Sequence, residues 1–140
     1  MKSRGMIIVV AGLAIAALPG RANATNFESE GWFLFDIQDG TDPFGWSASG
    51  ELSDGTSDAY DGCYYLNIDD ERYDALIIGG TIVEERTVHL PTITMGRSLA
   101  VTRHVHVPAS GGDYARYYDT IENTGDSDVT VTVSYTGNLG

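Results

Sequence analysis

Two groups of aspartates are the residues of this chain best suited to bind a cation. They lie in short, glycine-containing stretches, as Asp36, Asp39, Asp42 and Asp54, Asp58, Asp61. Ca²⁺ takes six to eight oxygen ligands, which Asp-rich turns supply. Neither group has the spacing of an EF-hand loop. We therefore predict Ca²⁺ ligation by these six carboxylates. The alternative is that they stabilise turns through their own side-chain hydrogen bonds.

His104 and His106 are two residues apart in a predicted strand, so both imidazoles leave the same face. Two such histidines are a transition-metal geometry if a third ligand, such as His89 or a carboxylate, joins them. Arg103, Val105 and Val107 then face the other way. The alternative is a pair of histidines on the solvent face of the sheet.

A third group is aromatic and comprises Trp32, Trp46, Tyr60, Tyr64 and Tyr65. Aromatic faces stack on the apolar faces of sugars, and Tyr and Trp suit interfaces that are wet on one side. These residues predict either a sugar-stacking platform or part of the core.

Catalytic motifs are missing from the sequence, which contains no nucleophile elbow, metalloprotease helix motif or phosphate loop. Cys63 is the only cysteine and has no internal disulfide partner. We predict that it is a buried small hydrophobe, with an intermolecular bridge or a reactive thiol as the alternative. A non-catalytic role is the prediction.

The first 24 residues have the three parts of a signal peptide. A basic tip with Lys2 and Arg4 precedes an apolar run, and the segment ends in Ala22-Asn23-Ala24. The apolar run is shorter than the roughly 20 residues that span a bilayer. We predict cleavage after Ala24, and a secreted, extracellular or periplasmic domain over residues 25–140 without a membrane anchor.

The chain is strongly acidic, with a formal net charge of −12. All 20 acidic residues lie beyond the predicted cleavage site, where five arginines and no lysine remain. Phosphate binding needs a basic surface, so nucleic acid is excluded as an expected partner. The acidic residues predict either a solubilising surface or specific cation sites.

Short runs rich in Val, Ile, Thr and Tyr alternate with Gly, Asp and Asn, which is typical of an all-β domain. Eight strands are predicted, near residues 31–37, 45–52, 62–68, 73–78, 80–89, 98–107, 114–123 and 128–136. The strand at 31–37 is apolar on both faces and is expected to be central. Turns are predicted at the Asp-Gly and Gly-Gly pairs. The fold class that follows is an antiparallel β-sandwich.

The last strands show the clearest alternation, with Val129, Val131, Val133 and Tyr135 on one face. We expect this apolar face to point inward and residues 123–126 to join the last two strands as a hairpin. The chain ends directly after this strand, so it is expected to be either complete or the N-terminal part of a larger module.

The C-terminal third also carries a resemblance. It is carried by four segments in this order: Arg103-His104-Val105-His106-Val107-Pro108, Ala115-Arg116-Tyr117, Asn123-Thr124-Gly125 and Val129-Thr130-Val131-Thr132-Val133. Over residues 101–133 this resembles a β-sandwich module of large secreted bacterial surface proteins. It is also similar to the β-supersandwich found beside catalytic domains of carbohydrate-active enzymes. The resemblance implies a fold and supplies no catalytic residues.

Taken together, these features predict an exported, non-catalytic extracellular β-sandwich module with a structural, adhesive or ligand-binding role, stabilised by Ca²⁺. The expected partners are a cell-surface glycan or other extracellular domains. The alternative is a β-supersandwich accessory portion of a secreted polysaccharide-degrading enzyme.

Overall fold

The computed structural model describes residues 25–40, 47–57, 59–75, 81–96 and 98–139. The predicted signal peptide, residues 1–24, lies outside this part, as do Asp42, Trp46 and Asp58. The strands of the described residues are β1 (Thr25–Glu28), β2 (Leu34–Ile37), β3 (Leu52–Gly55), β4 (Tyr65–Ile68), β5 (Glu71–Arg72), β6 (Ile82–Glu84), β7 (Thr87–His89), β8 (Ile93–Met95), β9 (Leu99–His106), β10 (Arg116–Asn123) and β11 (Val133–Thr136). The all-β prediction is confirmed, with eleven strands here rather than about eight. None of the described residues belongs to a helix that could cross a membrane.

The strands form three antiparallel sheets, in the orders β1-β2-β3, β10-β9-β7-β6 and β11-β4-β5. In the second sheet, β8 also pairs with β9, next to β7 on the same side. The first and third sheets meet where Leu52 and Cys63 exchange both backbone hydrogen bonds, at 3.0 and 2.9 Å.

One hydrophobic core serves all three sheets, because Phe35 of the first, Val101 of the second and Leu66 of the third belong to a single cluster. Along β9 buried and half-buried residues alternate strictly. This is the period-two pattern of a strand with one face on the core. The predicted strand at 98–107 is thus confirmed almost to the residue.

The prediction of a central strand at 31–37 is confirmed for β2, which lies between β1 and β3. The strand begins later than predicted, at Leu34, because the chain turns at Trp32. Sequence reasoning missed β1, β5 and β8 altogether.

The prediction of one strand over 80–89 is wrong, because β6 and β7 form a hairpin there. Its two turn residues, Glu85 and Arg86, have φ values of 44° and 74°. Both values lie in the left-handed region, which glycine usually occupies. Because neither residue is glycine, the sequence contains no signal for this turn. The Arg86 side chain holds it by donating to the carbonyls of Val107 at 2.7 Å and Glu28 at 2.5 Å.

The predicted hairpin between the last two strands is also wrong. β10 pairs with β9, whereas β11 pairs with β4 in another sheet. The 123–126 segment therefore carries the chain between sheets, and residues 128–132 are not in a strand. The face expected to point inward is largely exposed at Val129, Val133 and Tyr135.

Two further strand predictions are displaced. The strand expected at 45–52 starts only at Leu52 as β3, which includes the predicted Asp54-Gly55 turn; residues 41–46 lie outside the described residues. Residues 73–75 of the strand expected at 73–78 are irregular, and residues 76–80 are not described.

Candidate functional site

An exposed tryptophan occupies the turn between β1 and β2. Trp32 has a φ of 66° and is 78% exposed. The turn is closed by Ser29, whose N–H donates to the Phe33 carbonyl and whose carbonyl accepts from the Trp32 N–H at 3.1 Å. A left-handed bulky residue costs about 1–3 kcal/mol, a strain that clusters at functional positions. The turn thus holds an indole in solvent.

Asp113, in the loop between β9 and β10, fixes this turn from the other side. Its Oδ1 accepts from the Ser29 hydroxyl at 2.6 Å and from the Gly31 N–H at 2.9 Å. A Cβ at residue 31 would lie 2.2 Å from Asp113 Oδ2, so only glycine permits this approach. The Trp32 turn and the 113–115 loop are therefore one unit.

Beside this unit lies a small cleft of about 100 Å³, which we call the tyrosine cleft. It is lined by Phe35, Leu52, Tyr60, Tyr64, Asp113, Tyr114 and Ala115. Tyr64 is 41% exposed and Tyr114 is 38% exposed. The cleft combines aromatic faces with one carboxylate.

Two of the tyrosines that line the cleft, Tyr60 and Tyr64, each pack against another aromatic ring. Tyr60 packs edge-on against Phe33, with ring centroids 5.9 Å apart. Tyr64 stacks on Tyr117 of β10 at 5.0 Å, and the Arg103 guanidinium lies 4.6 Å from the Tyr117 ring. Burial raises the pKa of the Tyr117 phenol, which keeps it neutral. The result is a fixed stack of Tyr64, Tyr117 and Arg103.

Arg103 is completely buried at the centre of β9, opposite Asp119 of β10. Its Nε lies 3.2 Å from Asp119 Oδ1, close enough for an ion pair but not aligned as a hydrogen bond. Its Nη1 donates to the Ser49 carbonyl at 3.0 Å, and the Tyr135 hydroxyl donates to Asp119 Oδ2 at 2.9 Å. Being inaccessible, Arg103 positions Tyr117 rather than contacting a ligand.

The structure brings together part of the predicted aspartate groups. Asp36 of β2 and Asp54 of β3 are direct cross-strand partners. Burial, with Asp54 and Asp39 nearby, raises the pKa of Asp36, whose Oδ1 is buried without a hydrogen-bond partner. Asp39 is buried, and its carboxylate accepts from the Thr25 hydroxyl at 2.5 Å.

The second group is more spread out. Asp54 accepts from the Gly55 N–H at 2.6 Å, and both residues lie within β3 rather than in the predicted turn. Asp61 lies in the turn before Cys63, and Asp42 and Asp58 are not described. Within the described ranges, no three His, Cys, Asp or Glu side chains form a metal-binding group.

The predicted histidine face exists. Arg103, Val105 and Val107 are fully buried, whereas His104 and His106 lie half-buried on the opposite face. His89 is the cross-strand partner of His104, with ring centroids 4.5 Å apart. Thr87 Oγ1 and His106 Nδ1 share a hydrogen bond of 2.8 Å. His89 and His104 therefore contact each other, and His106 contacts Thr87.

Cys63 is buried, and burial raises the pKa of its thiol to about 11. Of the predicted aromatic group, Tyr60 and Tyr64 meet in the cleft, while Tyr65 instead lies under Arg72, 3.7 Å from its ring centroid. Sequence reasoning missed Asp113, Tyr114 and Tyr117. The sequence signal that could have indicated Tyr117 is Arg103, because a charged residue among the apolar residues of one strand face needs a partner on the neighbouring strand.

Comparison of the chain with protein-family models, with curated proteins and with solved structures finds no match.

Proposed function

We propose that this protein is an exported, non-catalytic β-sandwich module that binds carbohydrate through the tyrosine cleft. The observation that carries the proposal is the exposed Trp32 next to a cleft of tyrosines around Asp113. The sandwich arrangement is supported by the core shared by all three sheets and by the Leu52–Cys63 link between two of them.

Carbohydrate suits this site for two physical reasons. Flat aromatic faces pack on the C–H faces of a sugar ring, and Trp and Tyr do so at little conformational cost. A carboxylate accepts hydrogen bonds from sugar hydroxyls, which Asp113 supplies at the cleft. The cleft, at about 100 Å³, is smaller than the roughly 300–1,000 Å³ of sites that enclose a small molecule, which favours a polymer lying across the surface.

Export is part of the same proposal. It rests on the signal-peptide pattern of residues 1–24. A secreted module of this kind is consistent with the resemblance of residues 101–133 to bacterial surface proteins.

The binding proposal is tested by affinity electrophoresis in gels containing soluble xylan, β-glucan, mannan or pectin. We expect at least one polysaccharide to retard the protein, and Trp32→Ala to weaken retardation about tenfold or more, as loss of a stacked aromatic does. Ile82→Ala, which shortens an exposed side chain of β6, is the matched control. Equal retardation of both variants, or no retardation of the wild type, would contradict the proposal.

Ca²⁺ stabilisation belongs to the proposal through Asp36. Its unpartnered buried oxygen, opposite Asp54 across the strand pair, supports it as one oxygen ligand, while the described carboxylates alone do not complete a metal-binding group. Millimolar Ca²⁺ is expected to raise the unfolding temperature relative to a chelator, because a ligand that binds the native state stabilises it.

Asp36→Asn is expected to abolish that Ca²⁺ shift. In chelator the variant should be more stable than the wild type near pH 7, because the raised pKa of Asp36 means that its ionised form disfavours the folded state. This advantage disappears when the pH falls below the pKa and Asp36 is protonated. Asp126→Asn, in an exposed loop, is the control. An unchanged Ca²⁺ shift in Asp36→Asn would reject the site.

The second candidate is an accessory portion of a polysaccharide-degrading enzyme. The observation in its favour is the exposed apolar face of Val129, Val133 and Tyr135, which a further domain would cover. The coding sequence after codon 140 tests it. A catalytic domain there supports this candidate, and a stop codon contradicts it.

A further inference from the structure

Strand β10 lies at the edge of its sheet with one side open. It pairs with β9 along all eight of its residues, from Arg116 to Asn123. Among the described residues, β9 is the one strand that pairs with it. An edge strand of this length offers a row of unpaired backbone groups to another strand.

The hydrogen-bond alternation shows which groups are open. The Thr124 N–H donates to the Ser98 carbonyl at 2.9 Å, in the same register that pairs β10 with β9. In an antiparallel pair such bonded positions recur at every second residue. Residues 116, 118, 120 and 122 therefore point their backbone groups at β9. The N–H and C=O groups of Tyr117, Asp119, Ile121 and Asn123 face outward.

The edge lacks several of the usual protections against pairing, and the one it carries, the inward-pointing charge of Asp119, is paired with Arg103. It contains no proline, no lysine and no irregularity in its register with β9. Natural edge strands are normally blunted by such features. Its charged side chains are Arg116, Asp119 and Glu122, which are placed symmetrically about Asp119.

We propose that β10 pairs antiparallel with β10 of a second copy of this chain, about a two-fold axis at Asp119. This register places Arg116 opposite Glu122, Tyr117 opposite Ile121 and Tyr118 opposite Thr120. Arg116 and Glu122 then occupy non-hydrogen-bonded positions, where facing side chains are closest. About six backbone hydrogen bonds join the copies, from the outward groups of residues 117, 119 and 121.

Side-chain chemistry selects this register among the two-fold ones. It alone sets Arg116 opposite Glu122, twice by symmetry, and it matches aromatic with β-branched partners, a favourable cross-strand combination. Each Asp119 carboxylate at the axis has its counter-charge within its own copy, from Arg103 at 3.2 Å, and also accepts a hydrogen bond from the Tyr135 hydroxyl at 2.9 Å. This inference is independent of carbohydrate binding, because it uses the edge of β10 and not the cleft.

Sedimentation equilibrium of the protein recovered from expression of the full chain tests the proposal. We expect a reversible dimer. Arg116→Glu and Glu122→Arg are each expected to weaken dimerisation about tenfold or more, because each replaces two attractive pairs by two repulsive ones. The double exchange restores opposite charges and is expected to dimerise like the wild type. Asp126→Arg, outside the strand, is the control for net charge.

Amide hydrogen exchange provides a second measurement that does not depend on the variants. The Ile121 amide is expected to gain protection as protein concentration rises, while the Thr120 amide is protected throughout. A monomer at all concentrations, a double exchange that fails to restore the dimer, or an Ile121 amide indifferent to concentration would overturn the proposal.

Discussion

Strands β9 and β10 have the same length and pair along every residue, yet they have different surroundings. β9 has strands on both sides, and its core-facing Val101, Arg103 and Val105 are fully buried. Among the described strands, β10 has β9 on one side only. Its core-facing Tyr117 and Ile121 are half-buried, whereas the Asp119 side chain, paired with Arg103, is buried.

This difference indicates that β9 contributes mainly to the stability of the fold and β10 mainly to the recognition of partners. Buried apolar area and buried polar contacts hold the fold together. β9 contributes the fully buried Val101, Arg103 and Val105 to them, whereas β10 contributes no residue to the buried core. β10 keeps an open edge, and its Tyr117 supports Tyr64 at the wall of the tyrosine cleft. Surfaces for partners are therefore expected on the β10 side of the molecule.

The largest effect should come from breaking the ion pair that joins Arg103 of β9 to Asp119 of β10 in the core. Arg103→Ala leaves Asp119 buried without its counter-charge, which costs about 3–5 kcal/mol for a buried pair. Denaturant unfolding measures this loss. Arg103→Met with Asp119→Leu should be less destabilising than Arg103→Ala alone, because no unpaired charge remains. A cost below about 1 kcal/mol for Arg103→Ala would show that Arg103 is not part of the core.

A smaller contrast is expected between apolar truncations on the two strands. Val105→Ala on β9 should cost about 2 kcal/mol, because a fully buried side chain leaves a cavity. Ile121→Ala on β10 removes more atoms but should cost less, about 1 kcal/mol, because its site is half open to water. The same unfolding experiment compares them, and the reverse order would refute the assignment of stability to β9.

The smallest effect concerns the outer face of β9. Burial, with His89 beside it, lowers the pKa of His104 below its ordinary value of 6.5. Protonation is then harder in the folded state than in the unfolded state, so stability falls as the pH drops through that value. His104→Gln should make unfolding less sensitive to pH between about 7 and 5.

His89→Gln provides a partial version of the same test, because it removes the neighbouring charge and leaves the burial of His104. An unchanged pH dependence in His104→Gln would exclude this histidine as the source.

The sequence predicted β9 and β10 well because both follow a period-two pattern that burial enforces over eight residues. It failed where the backbone departs from the usual turn residues. Glu85 and Arg86 make a left-handed turn without glycine, and Trp32 turns where a strand was expected. Arg86 is held by backbone carbonyls distant in sequence, which no local pattern reveals.

The candidate site could be predicted only in part for a similar reason. The histidine face follows from spacing within one strand, so it was found. The tyrosine cleft is assembled from separate segments, because Asp113 contacts Ser29, which is 84 positions away. Tyr60 and Tyr64 were named from composition, but their position beside Asp113 and Tyr114 depends on how the strands are ordered.

Carbohydrate binding at the tyrosine cleft is tested most directly by ¹⁵N–¹H NMR spectra recorded while soluble xylan, β-glucan, mannan or pectin fragments are added. We expect saturable shifts for one of these at Gly31, Trp32, Tyr60, Tyr64 and Tyr114, with the histidine face unchanged. Shifts centred on His89 and His104, or no shifts with any of the four, would contradict it.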